Sequence, residues 1–424
     1  NDGGANVSTN GGKSWSTQQN QPTAQFYRVI ADNQVPYHIY GGQQDNSAIG
    51  IKSRTNDRGI DWKDWYSVAG CESAFLAFDP ENPDQVYGGC YQGIIERWQR
   101  KTDSGKEIKE YPELALGNVP KDFKFRFNWN APIISAPSDS NTIYHAGNVV
   151  FKTQNGGIDW EVISPDLTRN NPAQQVQGGI PFTNEAAGGE NYNTLMSLVA
   201  SPHDPKVLWT GSDDGLIHIT QDGGSTWTNV TPKKMEEGIV NSIEVSPHNP
   251  AKAYAVLMRY KFMDLKSYIY KTKDYGRHWE LITGGIEGAH TFTRVVREDK
   301  KISGLLYAGT DDGLVHITKD GGTTWQNITP KGIEDGIINS IDISEHDPAT
   351  AYIVLMRYKS MDLKPYIFKT SNYGKSWTKI VNGISGAHTF VRVVRSDKKQ
   401  PGLLYAGSES GLYISYDDGS NWNK

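Results

Sequence analysis

One stretch occurs three times. Residues 211–227 read GSDDGLIHITQDGGSTW, residues 309–325 read GTDDGLVHITKDGGTTW, and residues 407–422 read GSESGLYISYDDGSNW. The segments 211–308 and 309–406 align without a gap and match at about two thirds of positions. Within this long period lies a shorter one, Ser/Thr-x-Asp/Asn-x-Gly-x-x-Trp. It recurs at Ser8–Trp15, Thr55–Trp62, Thr153–Trp160, Thr220–Trp227, Thr272–Trp279, Thr318–Trp325, Thr370–Trp377 and Ser415–Trp422. A worn copy without its Trp spans Arg97–Glu107. Each copy follows an alternating strand such as GLIHIT and precedes another such as WTNVT, which makes it a hairpin turn. Its Asp or Asn suits the backbone amides of the turn, and its Gly the permissive backbone. Those Asp residues are therefore read as turn braces, and Asp222, Asp274 and Asp320 are not proposed as catalysts.

Upstream of most copies lies strand, Pro/Asp turn, strand, as in SPHDPKVLWTGS and FDPENPDQVYGG. One unit is thus four strands, and four-stranded units at about 45–53 residues mean propeller blades. The expected fold is all-β, with helix content near zero: a single β-propeller over 1–424, of about eight full blades plus an N-terminal half blade at 1–20. The 98-residue period is two blades, 211–308 and 309–406. A polar loop insertion is expected over 161–195.

The bulk numbers exclude several classes. The 424 residues include 44 Gly, 12 Trp and 22 Tyr, and the net charge of −5 comes from scattered charges of both signs. There is no basic stripe for nucleic acid and no apolar run long enough for a membrane span. No metal or cofactor is expected: no paired-His, Cys-x-x-Cys, EF-hand, phosphate-loop or nucleophile-elbow spacing occurs. His203, His248 and His346 fall in repeated Pro/Asp turns, and His290 and His388 share one repeat position.

NDGGANVSTNGGKSW, QPTAQFYRV, YGGQQDNSAI, YHAGNVVFKT, SPDLTRN and GSDDGLIHIT together resemble the large secreted bacterial proteins labelled sortilin-like or BNR-repeat (Asp-box) glycosyl hydrolases. The resemblance implies tandem propellers, with NDGG at the handover from the first to the second. The chain, which opens on Asn1 without an initiator Met, is therefore expected to be a fragment whose partners include a preceding propeller or a larger surface complex. It departs from the family in carrying two copies of the two-blade segment. Sialidases that share such turns need an arginine triad and a Tyr–Glu nucleophile pair, for which no equivalent is found here. Xyloglucan-cleaving propellers use two Asp residues across a cleft between two propellers, of which this chain would hold at most one half.

Ligands of propellers bind where loops of many blades converge. The residues placed on that face are Gln25, Tyr27, Glu72, Arg126, Asn128, Asn130, Glu190 and Tyr192 from inter-blade segments. Gln44, Asp45, Tyr91, Asn148, Asp213, Asp214, Arg259 and Asp311 come from loops within blades. Tyr27, Gln44, Asp45, Tyr91, Arg126, Asn128, Asn148, Tyr192 and Asp213 are the ligand-binding candidates. Glycoside cleavage needs two carboxylates about 5–9.5 Å apart, and Asp45, Glu72, Glu190 and Asp213 are the catalytic candidates. Tyr27, Trp129 and Tyr192 suit sugar stacking. The main expectation is a secreted, periplasmic or cell-surface module that binds or scaffolds a protein, peptide or glycan through its channel face; the alternative is a carbohydrate-active enzyme using carboxylates on that face.

Cys71 and Cys90 are the only cysteines. Pairing Phe78 with Gln85 across the turn places Cys71 opposite Gln92 and Cys90 opposite Ser73, about two residues from register. A disulfide is expected, and with it an oxidising compartment; the alternative is two unrelated buried thiols.

Overall fold

The computed structural model describes residues 6–16, 26–44, 46–57, 60–61, 63–72, 75–113, 115, 117–137, 139–176, 190–286, 292–333, 335–386, 389–408 and 411–424. The side chains of residues 27, 28 and 140 also lie outside the description. Gln25, Asp45, His290 and His388, and residues 177–189 of the expected insertion, therefore fall outside the described residues.

The fold is an all-β propeller of eight antiparallel blades, in which each strand pairs with the next along the chain. Blades 1 to 8 span 26–67, 76–107, 133–162, 195–229, 239–281, 293–327, 337–379 and 391–415. The only helical elements among the described residues are three-residue 3-10 turns. Seven blades have four strands and blade 8 has three, with a single bridge from Ile414 to Asn423 in place of the fourth. Residues 6–16 carry no assigned strand but close a turn through Ser16 N to Val7 O (2.9 Å) and Gly12 N to Ser8 Oγ (2.7 Å). The worn copy is the outer hairpin of blade 2, where Gln99 faces Ser104.

The chain forms two compact units, 1–198 and 199–424. In each, the core lies between blades rather than within one. Tyr87 and Ile95 of blade 2 pack with Ile133 and Ile143 of blade 3, and Tyr254 and Ile269 of blade 5 with Val296 and Leu306 of blade 6. A side chain of this size contributes roughly 1.5–3 kcal/mol when fully buried. Two-sided packing also explains a departure from the alternation expected of GLIHIT: all four residues of Ile217–Thr220 are buried, because both faces of an inner strand meet a neighbour.

The repeated turn is a device for joining blades. Thr220 Oγ1 donates to Asp222 Oδ1 (2.8 Å) and accepts from Gly224 N (2.9 Å), and Asp222 Oδ1 accepts from Thr226 N (2.9 Å). Asp274 and Asp320 hold the same contacts. The Trp that follows reaches back to a carbonyl of the preceding blade or its exit. Trp160 Nε1 donates to Ile108 O (2.7 Å), Trp279 to Val230 O (2.6 Å), Trp325 to Ile282 O (2.5 Å) and Trp377 to Ile328 O (2.5 Å). On the Pro/Asp turns, Nε2 of His203, His248 and His346 meets the carbonyls of Ser246, Asp299 and Asp397 at 2.7–2.8 Å. A carbonyl only accepts, so each ring is protonated at Nε2.

In blade 2, Phe78 faces Val86, not Gln85, and Leu76 faces Gly88. The expected register is off by one residue because Asp79 already belongs to the turn, its N donating to Gln85 O (3.1 Å) and its Oδ1 accepting from Glu81 N and Asn82 N. Cys71 N donates to Gly89 O (3.0 Å), which brings Cys71 beside Cys90. The two are joined by a disulfide, with Cα atoms 4.9 Å apart.

Candidate functional site

The first unit holds a polar cluster with no repeat behind it. It begins at Gly147, in the loop after the second strand of blade 3. A Cβ there would lie 2.6 Å from Arg126 O, so only glycine admits the segment 126–130 at this distance. Arg126 is buried, at 4% exposure. Its N donates to Asn148 Oδ1 (2.9 Å), its Nε to Asn193 O (3.3 Å) and its Nη2 to Asp166 Oδ2 (2.6 Å). Asp166 Oδ2 also accepts from Asn148 Nδ2 (2.8 Å), while Asp166 Oδ1 accepts from Thr168 N (3.0 Å) and Thr168 Oγ1 (2.6 Å). Asn193 Oδ1 accepts from Asn171 N (3.1 Å) and Gln175 Nε2 (2.9 Å). A buried guanidinium held by a carboxylate and several neutral acceptors is fixed in place and orients everything attached to it.

What it orients is the segment 127–130. Asn191 Nδ2 donates to Phe127 O (2.8 Å), Asn128 Nδ2 to Thr194 Oγ1 (3.1 Å), and Asn130 N to Asn128 Oδ1 (3.1 Å). Between these braces Trp129 stacks on Tyr91, with ring centroids 5.5 Å apart and planes 15° from parallel. Both rings are half-buried. The indole Nε1 of Trp129 is buried without a hydrogen-bond partner, as is Oδ1 of Asn130. An amphipathic aromatic platform with unused polar atoms beside it is suited to a ligand that is apolar on its faces and hydroxylated at its edges, as a pyranose is.

Three ligand-binding candidates from the sequence, Arg126, Asn128 and Asn148, therefore meet in one cluster, and Tyr91 joins it through Trp129. Tyr192 is buried at 2% exposure, a packing residue rather than an open contact. Gln44 and Glu72 form a separate pair, Gln44 Nε2 donating to Glu72 Oε2 (2.8 Å). Glu190 is exposed, the side chain of Tyr27 is outside the description, and Asp45 is outside the described residues. Asp213 lies in the second unit and is buried at 4% exposure. Its neighbour Asp214 accepts from Ser212 Oγ (2.5 Å), and Asp312 accepts from Thr310 Oγ1 at the same distance, so Asp214 and Asp312 brace their own loops. Arg259 closes its own loop on Asp264 and Glu236. Asp311 accepts from Arg294 Nε (2.6 Å) and lies 3.6 Å from Lys359 Nζ. Among the described residues no group of three His, Cys, Asp or Glu could hold a metal ion.

Sequence reasoning missed Asp166, Thr168 and Asn193. The stretch SPDLTRN was read as part of the family resemblance and of a loop; its Asp-x-Thr spacing, which favours a side chain bonding backbone two residues on, was the available signal.

Fold and site together describe a β-propeller with one irregular, polar and aromatic patch. No protein-family model matches the chain. A xyloglucanase of Hypocrea jecorina (strain QM6a) is 22% identical over 513 residues, covering 98% of this chain and 56% of that protein. A probable oligoxyloglucan-reducing end-specific xyloglucanase of Neosartorya fischeri is 19% identical over 371 residues, covering 78% of this chain and 43% of that protein. The chain is thus a distant homologue of xyloglucanases, and it spans about half the length of the curated relatives it matches. Among solved structures, the GH74 xyloglucanase from Xanthomonas campestris superposes with a TM-score of 0.52 at 14% identity, over 84% of this chain and 54% of that one. The computationally designed Ika8 protein superposes with a TM-score of 0.55 at 11% identity, over 94% of this chain and 98% of that one. These structural likenesses show the fold. No helix among the described residues is long and apolar enough to cross a membrane.

Proposed function

We propose that this chain is a carbohydrate-active β-propeller whose ligand is a polysaccharide of the xyloglucan type, held in the first unit on the Tyr91–Trp129 platform. The observation that carries the reading is this stacked, half-buried aromatic pair, fixed by the Arg126 cluster. Alignment with xyloglucanases along nearly the whole chain supports it. Arg126, Asn148 and Asp166 hold the platform's backbone, and the half-buried rings of Tyr91 and Trp129 offer their faces to a sugar ring. The Cys71–Cys90 disulfide one residue before Tyr91 stiffens the other side and favours an oxidising, extracellular setting.

Hydrolysis is the second reading, favoured by the same relatives. It requires a carboxylic acid and a second carboxylate about 5–9.5 Å apart across the glycosidic bond. Asp45, Glu72, Glu190 and Asp213 remain the candidates for those roles.

Affinity electrophoresis in gels containing xyloglucan, a mixed-linkage glucan or no polysaccharide tests the ligand. Retardation by xyloglucan is expected. Migration unchanged in every glycan gel rejects the glycan reading and returns the chain to protein or peptide binding. Release of reducing ends from xyloglucan, lost in Glu72→Gln or Glu190→Gln with retardation kept, separates enzyme from binding module.

A further inference from the structure

The chain holds six methionines, all among the described residues, and two of them stand apart. Met263 is 88% exposed and Met361 84%, whereas Met235 and Met356 are buried at 7% and 4%. Met196 and Met258 are half-buried. Met235 belongs to the core between blades 4 and 5, and Met356 to the core between blades 7 and 8.

The two exposed thioethers sit on the same loop, written twice. In blade 5 the strand Ala253–Arg259 runs into the 3-10 turn Tyr260–Phe262, which ends at Met263. In blade 7 the strand Ala351–Met356 is followed by the turn Tyr358–Ser360, which ends at Met361. The N of each methionine donates to the carbonyl of Tyr260 or Tyr358 (3.0 Å). The loops are also tied by their side chains. Arg259 pairs with Asp264 and Arg357 with Asp362, and the hydroxyls of Tyr268 and Tyr366 donate to the same two carboxylates at 2.7 Å. Ser360 Oγ donates to Asp335 Oδ2 (2.9 Å). None of these bonds uses a methionine side chain, so each loop keeps its shape whatever happens at the sulfur.

We propose that Met263 and Met361 form a paired oxidation site, at which peroxides convert the thioethers to sulfoxides while the blades stay folded. A sulfur lone pair attacks one oxygen of hydrogen peroxide. An S–O bond forms as the O–O bond breaks, and the departing hydroxide takes the proton from the transferred oxygen. Sulfoxide and water result; the sulfur loses two electrons and the peroxide gains them. At the loop tips water solvates the new S=O at once. At Met235 or Met356 the same oxygen would be a buried acceptor without a partner, which destabilises a core. The site does not rest on the polysaccharide reading.

Peptide mass mapping of the intact chain during timed exposure to hydrogen peroxide tests this. Met263 and Met361 are expected to oxidise at least about tenfold faster than Met235 and Met356, and the six rates to converge in urea. The chain oxidised at both tips should keep the parent's urea midpoint, and the two epimer-specific methionine sulfoxide reductases should restore its mass. Met263→Leu with Met361→Leu should remove the fast phase. Tips that react no faster than the buried pair in the folded chain, or a midpoint that falls when only the tips are oxidised, overturn the proposal.

Discussion

Most polar contacts singled out in residues 199–424 have a twin 98 residues away. Tyr268 OH donates to Asp264 Oδ2 and Tyr366 OH to Asp362 Oδ2, both at 2.7 Å. Arg259 and Arg357 close the same two loops on the same aspartates. Met263 and Met361 both sit at φ 58° on the loop tips. In residues 108–193 the contacts of Arg126, Asp166, Asn148 and Asn193 have no such counterpart. A contact that recurs in every blade pair is accounted for by the blade. A buried arginine that occurs once, in a segment that no repeat requires, is not, and it lies beside the stacked Tyr91–Trp129 pair. The repeats thus act as an internal control for separating architecture from site.

The largest effect is expected at Arg126. Arg126→Met leaves Asp166 without its charge partner and should cost about 3–5 kcal/mol in urea unfolding while abolishing xyloglucan retardation. A variant that keeps both stability and binding would remove the cluster from the account. Reduction of Cys71–Cys90, which closes a loop with a sequence separation of 19, should cost roughly 3 kcal/mol by the loop-entropy estimate, read as a shift of the denaturant midpoint.

A smaller effect sharpens the repeat side. The first repeat buries Lys252 against Glu298, whose side chains are 10% and 0% exposed. The second has Thr350 and Ser396 there, and Ser396 donates instead to Asp342 Oδ2 through N (2.7 Å) and Oγ (2.5 Å). Glu298→Ser alone strands the ammonium and should cost roughly 3 kcal/mol, whereas Lys252→Thr with Glu298→Ser should return to within about 1 kcal/mol of the parent. Additive losses would show that the two repeats are not interchangeable. Trp325→Phe removes one inter-blade hydrogen bond and should cost about 1–2 kcal/mol.

The last effect is one of pH. Burial would raise the Asp32 carboxyl, but hydrogen bonds from His38, Gln34 and Tyr40 outweigh it and hold the group at about 2 against an ordinary 3.8. A depressed carboxyl contributes stability that is present above its unfolded value and lost as pH falls from 3.8 toward 2. Asp32→Asn should flatten stability against pH across that window, and an unchanged slope would contradict the assignment.

The blades were legible because each is written by a period that physics constrains: Gly where a turn needs it, Asp where amides need an acceptor, Trp where the next blade must be tied. The strand register of blade 2 was not, because whether Asp79 ends a strand or begins a turn depends on side-chain bonds to Glu81 and Asn82. The site was legible in its members and not in its assembly. Arg126, Asn128 and Asn148 were chosen for their loops; that Asp166 joins two of them depends on a contact 40 residues away from Arg126, which no local pattern encodes. Arg259 looked equally suitable until it was seen to close its own loop on Asp264.

On the proposed function, the unrepeated aromatic pair, not the repeated blades, holds the glycan. Affinity electrophoresis in xyloglucan gels with Trp129→Ala and Tyr260→Ala, an exposed aromatic of the second unit, compares the two directly. The account predicts that Trp129→Ala migrates as in a gel without polysaccharide, that Trp129→Phe restores retardation, and that Tyr260→Ala behaves as the parent chain. Retardation kept in Trp129→Ala, or lost in Tyr260→Ala, would contradict it.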